Sequence, residues 1–373
     1  MLFYITLYVI TLLLIIASQF VKRRWRWDFL SHALVFVAIV VLCTVAAVRD
    51  TSIGTDTSFY PLITFNEAKE RGLADFMSLP LVGHEYLYYL IVYICSTVFN
   101  SFPLLLFVTE FLCVVPVYYV LSKISSREKS SKPIVIGMAI YLLFAYNLSF
   151  NMMRQMIALA FCLVAFYDYY HKKHKRALLW VVLGFFFHSF SLIAIPIIAL
   201  YKICSSIRKN NTFLLFKTWL LFTIIAMSIF LLPIIRLVDS IFPNLIASSY
   251  MDDFAQIQNF SFAEFFFWTA ISMVTLSCKK GLIKEKRIDR FFDVVLIVSP
   301  FAAVFDYYIH YSGRIFLYMQ YIIFFIVIPL ALCRKTKNRA LYNCSYMIIF
   351  AAYWLFFYVL LNINETVPYA IGI

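Results

Sequence analysis

A few ionisable side chains stand where long apolar runs begin, end or break. Arg49 and Asp56 follow one such run, Arg154 opens the stretch RQMIALAFCLVAF, His188 interrupts another run, and Arg314 opens GRIFLYMQY. A guanidinium fork matches phosphate oxygens bidentately and stays charged in apolar surroundings. Together the three arginines would suit a phosphate or diphosphate, and a neighbouring carboxylate or imidazole would suit proton transfer.

The rest of the chain indicates where these residues lie. Of the 373 residues, 64% are hydrophobic and only 14% are charged, whereas a soluble domain carries about a quarter charged residues. Apolar runs of about 20 residues, each able to cross a ~30 Å hydrocarbon core, recur along the chain. This pattern predicts an all-α polytopic membrane protein in which residues 1–373 form a single integral domain. The first run precedes its basic cluster, so we expect a retained helix and not a signal peptide.

The net charge of +13 does not indicate nucleic-acid binding, because most Lys and Arg residues stand in short loops between apolar runs. The positive-inside rule places such loops in the cytoplasm. They are KRRWR from Lys22, KISSREKSSK from Lys123, KKHKR from Lys172, YKICSSIRKN from Tyr201, KKGLIKEKR from Lys279 and RKTKNR from Arg334. The eight cysteines show no CxxC pair and no histidine at ligand spacing, so no metal site and no cofactor is predicted.

The number of crossings between these loops predicts two irregular segments. Two apolar runs lie between Glu85 and Lys123 where one crossing is required, so residues 85–99 are predicted to form a half-inserted or interfacial helix. The run between Lys172 and Tyr201 must enter and leave by one face, which predicts a break near His188. We therefore expect about ten full transmembrane helices, a broken re-entrant pair and a half-helix, with both termini outside.

Two outer loops, 49–85 and 236–262, are predicted to cover the site. Each site residue also has a simpler interpretation. Arg154 would cost at least ~2.5 kcal/mol in lipid unless it faces a polar cavity, but it could also reach the interface as an extended surface side chain. His188 could be a packed, hydrogen-bonded histidine. Asp56 could be a general base or the ion-pair partner of an arginine, and the sequence does not separate these roles.

Five short motifs occur in order along almost the whole chain. They are R-x(4)-GTDT-x(2)-Y from Arg49, RQ-x(2)-A from Arg154, FH-x(2)-S from Phe187, GR-x(3)-Y from Gly313 and VPY from Val367. In this order and at these positions the chain resembles the EpsG-like branch of the Wzy polysaccharide polymerases. Its long outer loops in both halves differ from the commoner O-antigen polymerases, so the loop roles of those proteins are not carried over.

The resemblance implies a GT-C-like membrane glycosyltransferase that extends O-antigen, capsule or exopolysaccharide chains at the outer (periplasmic) face of the bacterial cytoplasmic membrane. Donor and acceptor would both be undecaprenyl-diphosphate-linked oligosaccharides, and transfer would invert the donor carbon without a metal. A chain-length regulator of the polysaccharide co-polymerase type is the protein partner that such a function implies. Membrane lipids would surround the chain.

Residue roles follow from this resemblance. Arg154 and Arg314 are expected on the donor diphosphate, and Arg49 is expected there or on the acceptor diphosphate. Asp56 is the first candidate for accepting the proton of the attacking hydroxyl, and His188 is the second because imidazole ordinarily titrates near neutral pH.

The remaining roles concern the sugars and the first outer turn. Gly54 is expected to permit a tight turn that points Asp56 inward. The residues expected to contact sugars are Tyr60, Gln155, Tyr311 and Tyr318. A lipid-linked glycan flippase and an O-antigen ligase-like transferase are the alternatives. A flippase would distribute charge along both faces of its pathway, whereas the charges here that topology does not explain lie outside.

Overall fold

A computed structural model describes residues 1–80, 82–241, 261–279, 286–308, 313–333 and 339–372. Helices form this part of the chain, and it contains no β-strand; an isolated bridge joins Arg49 to Ile371. The chain divides into two compact units. The first comprises residues 1–194 together with 324–373, and the second comprises residues 195–323. The expected single integral domain stays a prediction.

The α-helices of the described residues are numbered in chain order. In chain order they are α1 (Leu2–Arg24), α2 (Asp28–Ala47), α3 (Thr55–Phe59), α4 (Pro61–Glu70), α5 (Leu73–Met77), α6 (Tyr86–Tyr93), α7 (Phe102–Glu128), α8 (Lys132–Ile140), α9 (Tyr146–Ser149), α10 (Met153–Tyr170), α11 (His174–Phe187), α12 (Ala194–Ser206), α13 (Asn210–Ile241), α14 (Phe262–Lys279), α15 (Lys286–Val298), α16 (Phe301–Tyr308), α17 (Gly313–Ile322), α18 (Ile328–Cys333) and α19 (Arg339–Tyr353). π-Helical turns at Ile94–Val98, Tyr141–Ala145, Ile323–Val327 and Trp354–Leu360 and a 3-10 turn at Ser189–Ile193 extend or join them.

Eight helical segments of the described residues are long and apolar enough to cross a membrane. Large apolar side chains on them are exposed, as on Phe36 at 62% and Trp219 at 62%, and such exposure is typical of surfaces that face lipid. The molecule is therefore a multi-pass membrane protein. The expected count of about ten helices and the GT-C arrangement stay predictions.

The structure contains the short helix and the helix break that the sequence predicted. Their half-inserted and re-entrant placement stays a prediction, and residues 189–206 are themselves long and apolar enough to cross a membrane. Tyr86–Tyr93 and the π-helical turn Ile94–Val98 supply eight and five residues, about 20 Å at 1.5 Å per residue, which is too short for a ~30 Å core. Helix α11 ends at Phe187, His188 is extended with φ −162° and ψ 130°, and a 3-10 turn follows. The break therefore falls at the predicted residue.

Three basic loops meet at one end of the first unit. Arg23 Nη1 donates to Ser131 Oγ at 3.5 Å, which places the loops that begin at Lys22 and Lys123 side by side. Arg176 Nη2 donates to the Tyr119 hydroxyl at 3.1 Å. The loop that begins at Lys172 therefore lies at the same end as the other two.

The opposite end carries both chain termini and the first loop. The Tyr4 hydroxyl donates to Thr366 O at 2.8 Å, and the backbone N–H of Asp50 donates to Ala370 O at 2.9 Å. We call this the outer end, because the positive-inside rule assigns the basic end to the cytoplasm. The structure agrees with the expectation that both termini lie on the side of the first loop.

The assignment of the two ends can be tested by labelling. In a variant whose native cysteines are replaced, we expect Ser52→Cys to react with a membrane-impermeant thiol reagent added to intact spheroplasts, and Ser126→Cys to react only after lysis. Both serines are exposed, at opposite ends of the first unit, so access to the reagent and not burial decides the result. The reverse pattern would invert the orientation.

Candidate active site

Three helix ends meet at the outer end of the first unit. Glu85 is the N-cap of α6, Arg154 lies in the first turn of α10, and His188 follows the last residue of α11. Arg154 Nη1 donates to Glu85 Oε2 in a short contact and to the Tyr89 hydroxyl at 3.2 Å. His188 Nδ1 lies 3.0 Å from Glu85 Oε1. One carboxylate therefore bridges the arginine and the histidine.

The positive charge of Arg154 does not stabilise the helix on which it lies. A cation in the first turn of a helix opposes the helix dipole, at a cost of about 0.3–1 kcal/mol. Glu85 supplies the opposite charge. The side chains of Arg154, Glu85 and His188 are 28%, 11% and 21% exposed, so the cluster is sheltered yet accessible to a ligand. A guanidinium in this position can bind an anion with its fork.

Tyrosines form the wall around the guanidinium. The Cζ atom of Arg154 lies 4.0 Å from the centroid of the Tyr60 ring and 5.9 Å from the centroids of Tyr88 and Tyr89. Such stacking holds the plane of the guanidinium fixed. The hydroxyls of Tyr60 and Tyr88 are buried without a hydrogen-bond partner in the part of the chain that the structure describes. They are thus potential donors to a ligand oxygen.

Arg49 is enclosed by contacts of its own. It is 5% exposed, donates from Nη1 to Ala46 O at 2.8 Å and from Nη2 to Thr57 Oγ1 at 3.4 Å, and lies over the Phe150 ring with Cζ 4.3 Å from the centroid. Burial lowers the pKa of Arg49 to about 10, although the charge of Glu110 acts in the opposite direction. The guanidinium therefore stays charged at neutral pH and ties the first loop to the turn that precedes α10.

The hydroxyl of Tyr88 lies near both Arg154 and Arg49. The charges of both Arg154 and Arg49 act on its hydroxyl, so the hydroxyl lies within electrostatic reach of each guanidinium. Arg154 is the partly exposed member of this pair and Arg49 the buried one. An incoming anion therefore reaches Arg154 more readily than Arg49.

The first loop turns at Gly54, with φ +88°. A Cβ atom at this position would lie 2.7 Å from Asn151 Oδ1 and 3.0 Å from Phe150 O, so only glycine fits without a shift of its neighbours. The turn buries Thr57, which is 0% exposed, and leaves Asp56 exposed. The prediction that the turn points Asp56 inward is therefore wrong. A hydroxyl can be buried by bonding to a carbonyl, whereas a buried carboxylate would lose its hydration.

The other predicted residues lie elsewhere in the chain. Gln155 follows Arg154 in α10 and is 4% exposed, as nearly all residues of that helix are buried. Arg314 and Tyr318 belong to α17 in the second unit, and Tyr318 is 2% exposed. Tyr311 lies outside the described residues, as do residues 242–260 of the second predicted loop. The shared diphosphate role of Arg154 and Arg314 stays a prediction from the sequence.

Arg314 has acidic neighbours within its own unit. Its charge acts on the carboxyl of Asp306, which accepts a hydrogen bond from Gly313 N at 2.6 Å. Glu264 is close enough to Asp306 for the two charges to interact and accepts a hydrogen bond from Trp268 Nε1 at 3.2 Å. In the described ranges no group of three His, Cys, Asp or Glu residues could hold a metal ion.

Comparison with known proteins shows the family to which the chain belongs. Residues 32–371 match the model of the EpsG family, a family of Wzy-like polysaccharide polymerases. The chain belongs to the EpsG family. The match includes all five motifs on which the resemblance was based, so that resemblance is confirmed. A search of curated proteins and a search of solved structures gave no match.

Glu85 of this EpsG family member was not singled out from the sequence, and neither were Tyr88 and Tyr89. Glu85 stands directly before the apolar run YLYYLIVY, as Arg154 stands near the start of its own run. That position is the one available signal, and it equally fits the end of a loop. The pairing with Arg154, 69 residues further on, is visible only once α6 and α10 are placed together.

The different surroundings of the two arginines lead to a prediction. Arg49→Ala is expected to lower the apparent unfolding temperature in detergent by roughly 5 °C or more, because it removes a buried stacking contact and the donors to Ala46 O and Thr57 Oγ1. Arg154→Ala is expected to cause less than half of that shift. Tryptophan fluorescence during heating measures both. Arg71→Ala is the control, since Arg71 is exposed and pairs with Glu67. Equal shifts for Arg49 and Arg154 would contradict the structural role of Arg49.

Proposed function

We propose that this EpsG family member transfers a growing undecaprenyl-diphosphate-linked glycan onto a lipid-linked repeat unit at the outer face of the cytoplasmic membrane. The observation that carries the proposal is the cluster of Arg154, Glu85 and His188 in a tyrosine-lined, partly exposed site. Family membership supports polymerase chemistry, multi-pass membrane association and lipid-linked substrates. The cluster supplies a phosphate-binding cation beside a group that can accept a proton.

Arg154 would act on the leaving group. As the bond between the anomeric carbon and the diphosphate breaks, negative charge grows on the diphosphate oxygens. A guanidinium held in place before the reaction stabilises that charge more than it stabilises the bound substrate. The stacking on Tyr60 at 4.0 Å supplies this preorganisation. Tyr60 therefore has a second role besides the sugar contact expected from the sequence.

His188 is the better placed of the two candidate proton acceptors. Its Nδ1 atom lies 3.0 Å from Glu85, a carboxylate that can orient the ring, and Arg154 contacts the same carboxylate. Asp56 is exposed, and Thr55 Oγ1 lies 3.5 Å from its Oδ1 atom. We therefore assign the proton of the attacking sugar hydroxyl to His188. The displacement would invert the configuration at the donor carbon.

A lipid-linked glycan flippase is the second candidate, because the helix break at His188 is typical of transport pathways. The polymerase is preferred because Arg154, Glu85 and His188 lie together at one end of the first unit, whereas transport requires contacts along the whole path. The two functions leave different products. A polymerase lengthens the glycan and a flippase leaves its length unchanged.

Purified protein in nanodiscs, incubated with a defined undecaprenyl-diphosphate repeat unit, is expected to yield a ladder of longer glycans on a gel. Arg154→Ala should slow chain extension about 10²-fold or more. Arg154→Lys should also be strongly impaired, because lysine keeps the charge but loses the fork and the flat stacking face. Arg71→Ala should match the wild type. Full activity of Arg154→Lys would exclude the diphosphate role.

The identity of the proton acceptor gives a separate prediction. His188→Gln should lower the rate of extension by roughly 10²- to 10⁴-fold, the usual contribution of general base catalysis, while Asp56→Asn should cost about tenfold or less. The initial rate at saturating substrate measures both. The opposite order would assign the proton to Asp56. Mild losses in both variants would mean that leaving-group stabilisation carries the catalysis.

A further inference from the structure

The two oxygens of Glu85 serve different partners. Oε2 accepts the short hydrogen bond from Arg154 Nη1, and Oε1 lies 3.0 Å from His188 Nδ1. With 11% of its side chain exposed, the carboxylate has little contact with solvent that could replace either partner. A change at one end of the carboxylate must therefore affect the other.

In the structure, Arg154 already binds an anion. A carboxylate and a phosphate present similar pairs of oxygens to a guanidinium fork. Glu85 therefore occupies the position on Arg154 that a substrate diphosphate would take. Because the side chain of Arg154 is 28% exposed, a diphosphate can approach the guanidinium from the open side and compete with Glu85.

The contact between Glu85 and His188 is incomplete. The distance of 3.0 Å suits an ion pair, yet Nδ1 is buried and makes no hydrogen bond of acceptable angle within the described residues. The imidazole stacks on Phe190 with centroids 5.1 Å apart and an interplanar angle of 11°, which limits rotation of the ring. The carboxylate is the group that must move to align the two. Its bond to Arg154 holds it away from that alignment.

We propose that Glu85 is exchanged between Arg154 and His188 when a lipid diphosphate binds. The diphosphate takes the guanidinium, and the released carboxylate rotates to accept a full hydrogen bond from His188 Nδ1. Glu85 is then a positioning residue that couples occupation of the donor site to the orientation of the base. The inference rests on the proposed polymerase function for its chemical step, although the competition at Arg154 does not.

The exchange has a defined consequence for the reaction. With its proton on Nδ1, the imidazole presents the lone pair of Nε2 to the substrate. The acceptor hydroxyl loses its proton to Nε2 as its oxygen bonds to the anomeric carbon of the donor. The carbon–oxygen bond to the diphosphate breaks, and the electron pair leaves on the lipid diphosphate. Water afterwards removes the proton from Nε2, so the histidine is restored.

Glu85→Gln tests the exchange, since glutamine keeps the size and one acceptor oxygen but loses the charge. Farnesyl diphosphate, which carries no sugar, serves as the binding probe, and the rate of chain extension is measured at saturating substrate. We expect tighter binding by roughly fivefold or more, because the internal competitor is gone, and extension slowed by about 10²- to 10⁴-fold. A purely structural role would weaken both or change neither.

Glu67→Gln is the matched control, because Glu67 pairs with Arg71 at 2.8 Å in the same loop and both side chains are more than a third exposed. Its affinity for farnesyl diphosphate and its rate of chain extension should both equal those of the wild type. Combining Glu85→Gln with His188→Gln tests whether Glu85 acts through the histidine. The double variant should be no slower than His188→Gln alone. Losses that multiply would overturn the proposal.

The outcomes also separate this inference from the proposed function. A wild-type protein that forms no ladder would reject the polymerase, but tighter binding of farnesyl diphosphate to Glu85→Gln would still support the competition at Arg154. A ladder from the wild type with unchanged or weaker binding to Glu85→Gln would reject the exchange alone. If Glu85→Gln does not fold, Glu85→Asp replaces it. Extension by the Asp variant at the wild-type rate would then overturn the exchange, since the shorter side chain cannot serve both partners.

Discussion

The side-chain amide of Asn147 organises the outer end of the first unit. Asn147 is 0% exposed, its Oδ1 atom accepts from the Tyr8 hydroxyl at 2.5 Å and from Trp354 Nε1 at 3.0 Å, and its Nδ2 atom donates to Thr366 Oγ1 at 2.9 Å. An unpaired amide in such an interior costs about 1–3 kcal/mol. The first helix, the last helical segment and the C-terminal tail must therefore keep their places around one residue.

The position of the candidate site follows from this constraint. The tail that Asn147 anchors also holds the first loop, since Gly54 N donates to Glu365 O at 3.1 Å and Asp50 N donates to Ala370 O at 2.9 Å. That loop leads to Tyr60, on whose ring Arg154 stacks. The same amide belongs to α9, the short helix just before α10, on which Arg154 lies. Both sides of the cation–π contact thus depend on one buried network.

The sequence predicted those features of the fold that depend on composition and on the number of crossings. Hydrophobicity predicted the spanning helices, and charge predicted that the basic loops beginning at Lys22, Lys123 and Lys172 share one end of the first unit. The break at His188 was predicted from the expectation, itself untested, that the basic loops at Lys172 and Tyr201 lie on one face of the membrane. Arg154 and His188 were correctly placed at the same end. These features can be predicted without knowing which side chains are in contact.

The details that depend on contacts between distant segments could not be predicted. Glu85 is recognisable as a site residue only through its contact with Arg154, and no local sequence pattern links the two. The exposure of Asp56 and the burial of Thr57 reflect which side chain can bond to a carbonyl of the turn before α10. Arg49 and Arg154 both open motifs of the same family, so a motif alone could not show that one is enclosed and the other accessible.

That difference has an electrostatic basis. Arg49 is buried near Glu110, whereas the pair of Arg154 and Glu85 is partly open to solvent. The charge of Glu110 acts on Arg49 within the protein interior, where the carboxylate accepts from Tyr141 at 2.7 Å and from Ser149 at 2.6 Å. Each oxygen of Glu110 thus accepts one of these bonds, and the carboxylate is held in place. Glu85 instead has two competing cationic or proton-bearing partners and one incomplete contact. The fixed pair of Arg49 and Glu110 can keep the first loop in place. Glu85 contacts both Arg154 and His188, so it can change its position when a substrate binds to Arg154.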